Sequence, residues 1–163
     1  MGPLVERAGR DEARILAHVE RLPLLADLIA DGRLDKVRAP FEGECAFLDH
    51  DLIPHMRAVE AVIYPRLDQI MSCCHSMLGM RREHRELERL ANLLAARRGG
   101  LEAGRLDEAD LTSVRHALHR LASIAKVHLA EEARLIRVLE QNLPADDVEA
   151  LAHWLDERRA PLD

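Results

Sequence analysis

The stretch VRHALHRLASIAKVHLAEEARLIRVL, residues 114–139, repeats apolar side chains at steps of three and four over about seven helical turns. Such a period places one face of an α-helix against a core and does not suit a strand, whose side chains alternate. His128 and Glu132 lie on that same face, one turn apart, among leucines. The stretch therefore predicts a long core helix that turns a histidine and a carboxylate inward.

Helical periodicity extends outward from this stretch through most of the chain, and no segment alternates convincingly as a strand. We predict helices over residues 8–31, 41–71, 76–98, 108–141 and 145–158. Four long helices joined by short connections predict an all-α, up-down-up-down antiparallel four-helix bundle with a short extra C-terminal helix. Pro23 and Pro54 fall inside helical patterns, where proline removes a backbone donor, so we expect kinks there.

The composition excludes several classes of function. A net charge of -6 with no basic stripe argues against a nucleic-acid partner. No apolar run approaches the roughly 18 to 20 residues of a membrane span, and the N-terminus has no run typical of a signal peptide. Three cysteines without a CxxC spacing do not suggest a disulfide framework. We therefore expect a single cytoplasmic domain over residues 1–163, with no membrane partner.

Nine histidines are the unusual feature of the composition. The apolar stripes of the four long helices each turn one histidine inward: His18, His55, His84 and His128. Four buried imidazoles and Glu132 are costly unless they are partnered, and one or two metal ions would partner all of them. Imidazole and carboxylate without thiolate suit iron or manganese and also accept zinc. No histidine follows a glutamate by three residues, which excludes the ferritin-like di-iron class.

The order of these residues resembles the hemerythrin-like (HHE cation-binding) domain, whose pattern H, HxxxE, H, HxxxE runs along four helices, over about residues 11–141. The matching segments are His18, HMRAVEAVIYP at 55–65, MRREHREL at 80–87 and HLAEEARLIRVL at 128–139. The resemblance implies a non-haem centre of two irons with an oxo or hydroxo bridge. Its implied ligands are His18, His55, His84, His128 and Glu132.

The chain departs from the family pattern at Val59, where the family has its first glutamate. Glu60 follows one place later, about 140° round the helix from His55, and Tyr64 lies about 180° from His55. In one hypothesis a one-residue π-bulge between His55 and Tyr64 turns Glu60 inward and brings Tyr64 nearer the metal. In a second, Tyr64 alone supplies an oxygen ligand. In a third, neither residue binds, and the site holds one iron or none.

Members of the family bind dioxygen, sense oxygen or iron, handle nitric oxide or decompose peroxide. The resemblance therefore implies a small diatomic or peroxide ligand and a part in oxidative or nitrosative stress, with catalase-like peroxide decomposition among the candidate activities. A phenolate from Tyr64 would stabilise ferric iron and favour redox chemistry over oxygen carriage. The alternatives are a non-catalytic iron or oxygen sensor or helical interaction module, and a structural bundle without metal. The substrate, the electron donor and the oligomeric state stay open.

Overall fold

The computed structural model describes residues 2–71 and 77–157, and all regular structure in these ranges is helical. Its elements are α1 (Pro3–Val19), α2 (Arg21–Ala30), α3 (Leu34–Phe47), a π-helical turn (Leu48–Leu52), α4 (Ile53–Val62), α5 (Tyr64–Ile70), α6 (Leu78–Glu102), α7 (Glu108–Asn142) and α8 (Ala145–Glu157). The all-α prediction is confirmed, because these ranges contain no strand. None of the described helices is both long and apolar enough to cross a membrane.

The first predicted helix is divided into α1 and α2 just before Pro23. Pro23 lies in the first turn of α2, where a missing backbone N–H costs little, so a helix boundary takes the place of the predicted kink. Helix α1 begins at Pro3, five residues earlier than predicted. Its start is held by Glu140 of α7, whose side chain accepts hydrogen bonds from the backbone N–H groups of Gly2 and Val5.

The second helical stretch begins at Leu34 rather than at residue 41. Val37 and Phe41 lie one turn apart and are buried, so an apolar face continues through the segment predicted as a loop. The π-helical turn follows α3 directly, and Pro54 lies in the first turn of α4. The wider hydrogen-bonding pattern of the π-helical turn therefore coincides with the position where Pro54 cannot donate a backbone hydrogen bond.

Helix α6 continues to Glu102, past its predicted end at residue 98, and buries Leu101 there. Gly104 follows with a φ of 64°, a left-handed conformation that suits glycine and ends the helix. Asp107 caps α7, because its carboxylate accepts a hydrogen bond from the backbone N–H of Asp110 at 2.8 Å. Helix α7 and the described part of α8 match their predicted bounds to within one residue.

Helix α7 occupies the middle of the structure and contacts α1, α2, α5 and α6. Buried apolar side chains form two clusters in the described part of the chain. Cluster 1 includes Ile15, Leu22, Phe41, Leu52, Met56, Leu87, Leu94, Leu118 and Leu129. Cluster 2 includes Leu4, Val59, Ile63, Leu67, Met80, Leu135, Leu139, Leu151 and Leu155. Along α4, α6 and α7 the change from one cluster to the other falls at or beside His55, His84 and Glu132, so a polar layer separates the clusters.

Candidate metal centre

Five polar side chains, which we call the central group, meet in the layer between clusters 1 and 2. They are His55 from α4, Tyr64 from α5, His84 from α6, and His128 and Glu132 from α7. The Nε2 atoms of His84 and His128 are 2.9 Å apart, and the Tyr64 hydroxyl oxygen is 3.0 Å from His84 Nε2. Glu132 lies 3.2 Å from His55 Nε2 through Oε1 and 3.5 Å from His128 Nε2 through Oε2. The five side chains therefore form one continuous buried group.

Each imidazole of the central group is held from outside by a carboxylate at its other ring nitrogen. The pairs are His55 Nδ1 with Asp11 at 3.1 Å, His84 Nδ1 with Glu60 at 3.1 Å, and His128 Nδ1 with Glu83 at 2.8 Å. An ionised carboxylate only accepts hydrogen bonds, so each Nδ1 carries a proton and donates it. In a neutral imidazole, Nε2 then has a free lone pair, and these lone pairs point into the central group.

Glu132 adds a negative charge to the same group. Its Oε2 atom is buried and has no hydrogen-bond partner among the residues described. The Tyr64 hydroxyl can donate a hydrogen bond to His84 Nε2. When the imidazoles are neutral, the inward Nε2 atoms and the oxygens of Glu132 are all acceptors. A buried set of acceptors is costly unless protons or a metal cation partner it. The donor chemistry of the central group therefore fits a metal cation.

The pKa values in the central group reflect this preference for positive charge. Burial opposes the charged form of His55, but Glu132 and Asp11 outweigh burial and raise the pKa of His55 to about 9. Burial also opposes ionisation of Glu132, yet His55 and His128 hold the pKa of Glu132 far below its ordinary value. Burial and the facing His128 lower the pKa of His84 to about 4. A metal ion would compete with protons for these same atoms.

The groups around Tyr64 affect the pKa of its hydroxyl in opposite directions. Burial raises the pKa of the Tyr64 hydroxyl well above its ordinary value, and the carboxylates of Glu132 and Glu60 raise it further. Arg81 opposes this shift, because its guanidinium carbon lies 5.4 Å from the centre of the Tyr64 ring. The same guanidinium donates to Glu60 at 3.1 Å. Arg81 is thus placed to favour negative charge on the phenol oxygen.

The spacing of the central group also fits a transition-metal ion. Donor atoms bound about 2.1 Å from one ion stand about 3.0 Å apart at right angles and about 3.4 Å apart at tetrahedral angles. The neighbouring donor atoms of the central group are between 2.9 Å and 3.5 Å apart. One ligand atom each from His84, His128 and Glu132 lies within 4.8 Å of the others. The central group could therefore hold a metal ion.

The two oxygens of Glu132 face different parts of the central group and so define two candidate metal positions. Oε2 faces His128, whose Nε2 adjoins that of His84, so His84, His128 and Glu132 could share an ion at the first position, with the Tyr64 hydroxyl beside His84. Oε1 faces His55, so the second position has two protein donors among the residues described. A carboxylate with one oxygen toward each position can bridge two ions or serve one.

His18 lies away from the central group. Its Nδ1 is 2.8 Å from Glu44, and its ring stacks on Phe47 with the ring centres 3.9 Å apart. The α1 side chain at the level of His55 is Asp11, which precedes His18 by seven residues, or about 10 Å along a helix. Ligation by His18 stays a prediction, and the described contacts of its ring do not join it to the central group.

The structure around Val59 differs from the hypothesis in which a π-bulge turns Glu60 inward. Helix α4 is regular from Ile53 to Val62 and a break follows at Ile63, so no π-bulge of the kind in the first of the three hypotheses lies between His55 and Tyr64. The π-helical turn precedes His55 instead. Glu60 remains on the outer side of the centre, where it contacts His84 Nδ1. Val59 itself is buried among apolar side chains.

The Tyr64 side chain does reach the centre, where its hydroxyl meets His84 of α6 rather than His55. It begins α5 after a break in the helix at Ile63, and its side chain is fully buried. Helical side chains lean toward the N-terminus, which carries the hydroxyl back toward the level of Glu60. The hydroxyl therefore approaches the inner nitrogen of His84, whereas Glu60 approaches the outer one.

Sequence analysis did not identify the carboxylates that hold His55 and His128. Asp11 precedes Ile15 by four residues, so extending the apolar stripe of α1 by one turn would have shown a carboxylate on it. Glu83 adjoins His84 in the sequence but contacts His128 on α7. No periodicity within α6 indicates that partner.

A small enclosed cavity of about 20 Å³ borders the central group. Its polar side is formed by Asp11, Glu12, His55 and Glu132, and its apolar wall includes Val59. Burial and the nearby Glu132 carboxylate raise the pKa of Glu12. A space of this volume suits one water-sized molecule. Val59 therefore forms part of this wall at the position where the family pattern has a charged side chain.

The described histidines other than His18 and those of the central group are exposed: His50 in the π-helical turn, His116 and His119 in α7, and His153 in α8. Glu157 forms an exposed ion pair with His153. His75 and the neighbouring thiols of Cys73 and Cys74 lie outside the described residues.

Comparisons with protein-family models, with curated proteins and with solved structures yield no match. The fold and the site by themselves define a class: an all-helical protein with a buried group of histidine, glutamate and tyrosine that could hold a metal ion. The likeness to hemerythrin-like domains remains a resemblance in the order of the sequence motifs.

Proposed function

We propose that this chain is a non-haem iron protein whose centre reacts with a small molecule such as peroxide, nitric oxide or dioxygen. The observation that carries the proposal is the arrangement of acceptors: three imidazoles are fixed at Nδ1 by carboxylates, and their Nε2 atoms face inward with Glu132. Carboxylates behind the ligand histidines are typical of metal sites, because they set the tautomer and the ring orientation.

The types of donor favour iron. Imidazole, carboxylate and phenol oxygen without thiolate suit iron or manganese better than copper(I) or an iron–sulfur cluster. We assign the first position to Tyr64, His84, His128 and Glu132, and the second to His55 and Glu132. The difference in the number of protein donors implies that the first position binds more tightly than the second.

The proposal includes an up-down-up-down four-helix bundle as the scaffold of the centre. Contacts between neighbouring helical stretches support alternating directions. Asp11 pairs with His55, and His18 pairs with Glu44. Residue numbers therefore rise along α1 while they fall along the facing stretch, as in an antiparallel pair. Ion pairs between α6 and α7 follow the same opposite order. Short connections between antiparallel helices are the usual way to build such a bundle.

Iron in such a centre supplies binding of small oxygen or nitrogen molecules and exchange of electrons with them. The chain's own residues position that chemistry. His55, His84 and His128 are kept in one tautomer by their carboxylates, and Tyr64 offers a phenol oxygen whose ionisation the nearby Arg81 guanidinium would favour. The buried apolar walls exclude bulk water from the small cavity beside His55.

The test is the metal content per chain and the visible spectrum of protein purified with iron in air. We expect one to two irons per chain, absorption in the near ultraviolet, and a broad band at longer wavelength that disappears in Tyr64→Phe. His128→Ala should lose the bound iron, whereas His153→Ala, which changes an exposed histidine, should keep it. Wild-type protein that stays colourless and metal-poor after iron loading, or iron content unchanged in His128→Ala, would contradict the proposal.

A further inference from the structure

A surface groove of about 400 Å³ runs between α1 and α7 on the outside of the small cavity. Three of the residues that line the groove also line the cavity: Ala8, Glu12 and Ile136. These three side chains therefore border both the groove, which is open to solvent, and the small space beside His55 and Glu132.

Three small residues of α1 help to keep the groove open, among larger ones such as Val5 and Arg10. Ala8, Gly9 and Ala13 line it, and a Cβ atom placed on Gly9 would meet nothing within 4 Å. Glycine inside a helix destabilises it by about 1 kcal/mol relative to alanine. Neither packing nor backbone conformation requires glycine here, since Gly9 has an ordinary helical φ and no close neighbour.

We propose that this groove is the route by which small ligands reach the centre, with Ala8, Glu12 and Ile136 as its narrow point. The route ends at the second position, the side of Glu132 that faces His55. The inference rests on the proposed function, because it concerns ligands that bind the metal held there. It adds a size limit on those ligands: the inner cavity of about 20 Å³ suits water or a diatomic molecule and is too small for an organic substrate.

The experiment measures the binding of nitric oxide to the iron-loaded full chain, reduced anaerobically, by stopped-flow absorption. Gly9→Phe and Ala13→Phe place a large side chain in the groove at exposed positions of α1. Gly43→Phe is the matched control, because Gly43 is also exposed, also helical, and also has nothing within 4 Å of an added Cβ. All three variants should keep the iron content of the wild type.

A barrier along a route slows entry and exit equally and leaves the equilibrium unchanged. We expect Gly9→Phe and Ala13→Phe to lower both the association and the dissociation rate of nitric oxide on the order of tenfold, with an unchanged Kd, and Gly43→Phe to match the wild type. Wild-type rates in both groove variants, or slower rates accompanied by a changed Kd in both, overturn the route and leave the metal centre standing. Absence of metal from the wild type overturns both proposals.

Discussion

The three inner imidazoles are each oriented by a carboxylate that sequence periodicity does not pair with them. His128 is the clearest case, because its Nδ1 donates to Glu83 at 2.8 Å while its Nε2 faces His84 and Glu132. The carboxylate fixes which nitrogen carries the proton and raises the basicity of the other. At the scale of single residues, we therefore expect any affinity for metal to depend on carboxylates that lie outside the central group.

Replacing Glu83 with glutamine tests this dependence. The amide oxygen of Glu83→Gln can still accept from His128 Nδ1, but it carries no charge, so we expect metal affinity to fall by about 10-fold to 100-fold without loss of folding. Competition with a coloured chelator measures the affinity. Glu131→Gln is the control, because Glu131 is similarly exposed and pairs with Arg134 on the surface of α7. Equal affinity in Glu83→Gln and the wild type would show that the ring is oriented without this charge.

The helical stretch from Leu34 to Ile70 contains the largest departure from regular structure near the centre. Its π-helical turn at Leu48–Leu52 accommodates one more residue than an α-helical turn, and α4 then runs regularly through His55. The break at Ile63 separates α4 from α5 and lets Tyr64 enter the core at a position where Pro65 can start a helix. The π-helical turn thus lies just before the helix that carries His55, and the break at Ile63 lies just before Tyr64.

A pair of single-residue deletions tests the π-helical turn. Removing the exposed His50 should convert the turn to α-helix while the flanking segments keep their faces, so we expect iron binding to be retained. Removing the exposed Arg57 from regular α4 should rotate everything after it by about 100° relative to His55 and abolish iron binding. Iron content per chain and helical circular dichroism measure both results. Loss of iron in the His50 deletion alone would mean that the turn itself is required.

At the scale of the whole molecule, a polar layer separates two apolar clusters. Cluster 1 is built from residues of α1, α2, α3, the π-helical turn, α4, α6 and α7, and cluster 2 includes the N-terminal end of α1, α5 and α8. Candidate ligands from α4, α5, α6 and α7 converge in that layer, so an ion bound there would cross-link helices that belong to both clusters. The stability of the fold is therefore expected to depend on metal.

Thermal unfolding measures this linkage. Metal at a free concentration 100 times its Kd stabilises the folded state by about 2.7 kcal/mol. For a chain of this length that corresponds to a rise in Tm of about 5 to 10 °C. We expect iron loading to give this shift in the wild type and in His153→Ala, and chelation to reverse it. His128→Ala should show no shift, and a wild-type Tm that does not respond to iron would contradict the linkage.

Much of the centre is predictable from the stripes of single helices. His55, His84, His128 and Glu132 lie on apolar faces, and the structure brings all four together. The boundaries that sequence analysis placed wrongly, at Leu34 and after residue 98, are segments where buried side chains continue a helix through residues that usually end one. Tertiary burial outweighed local propensity there, because contacts from other helices stabilise the additional turns.

The sequence by itself determined the helical class and the inward faces, because a period of 3.6 residues is a local property of each segment. Only the tertiary structure decided which side chains of different helices lie at the same level along the helix axes. Periodicity gives the angle of a residue about its helix axis and not the axial offset between two helices. That offset places Asp11 rather than His18 beside His55. It also brings Tyr64 to the inner nitrogen of His84, because the offset is set by how side chains of different helices pack against one another.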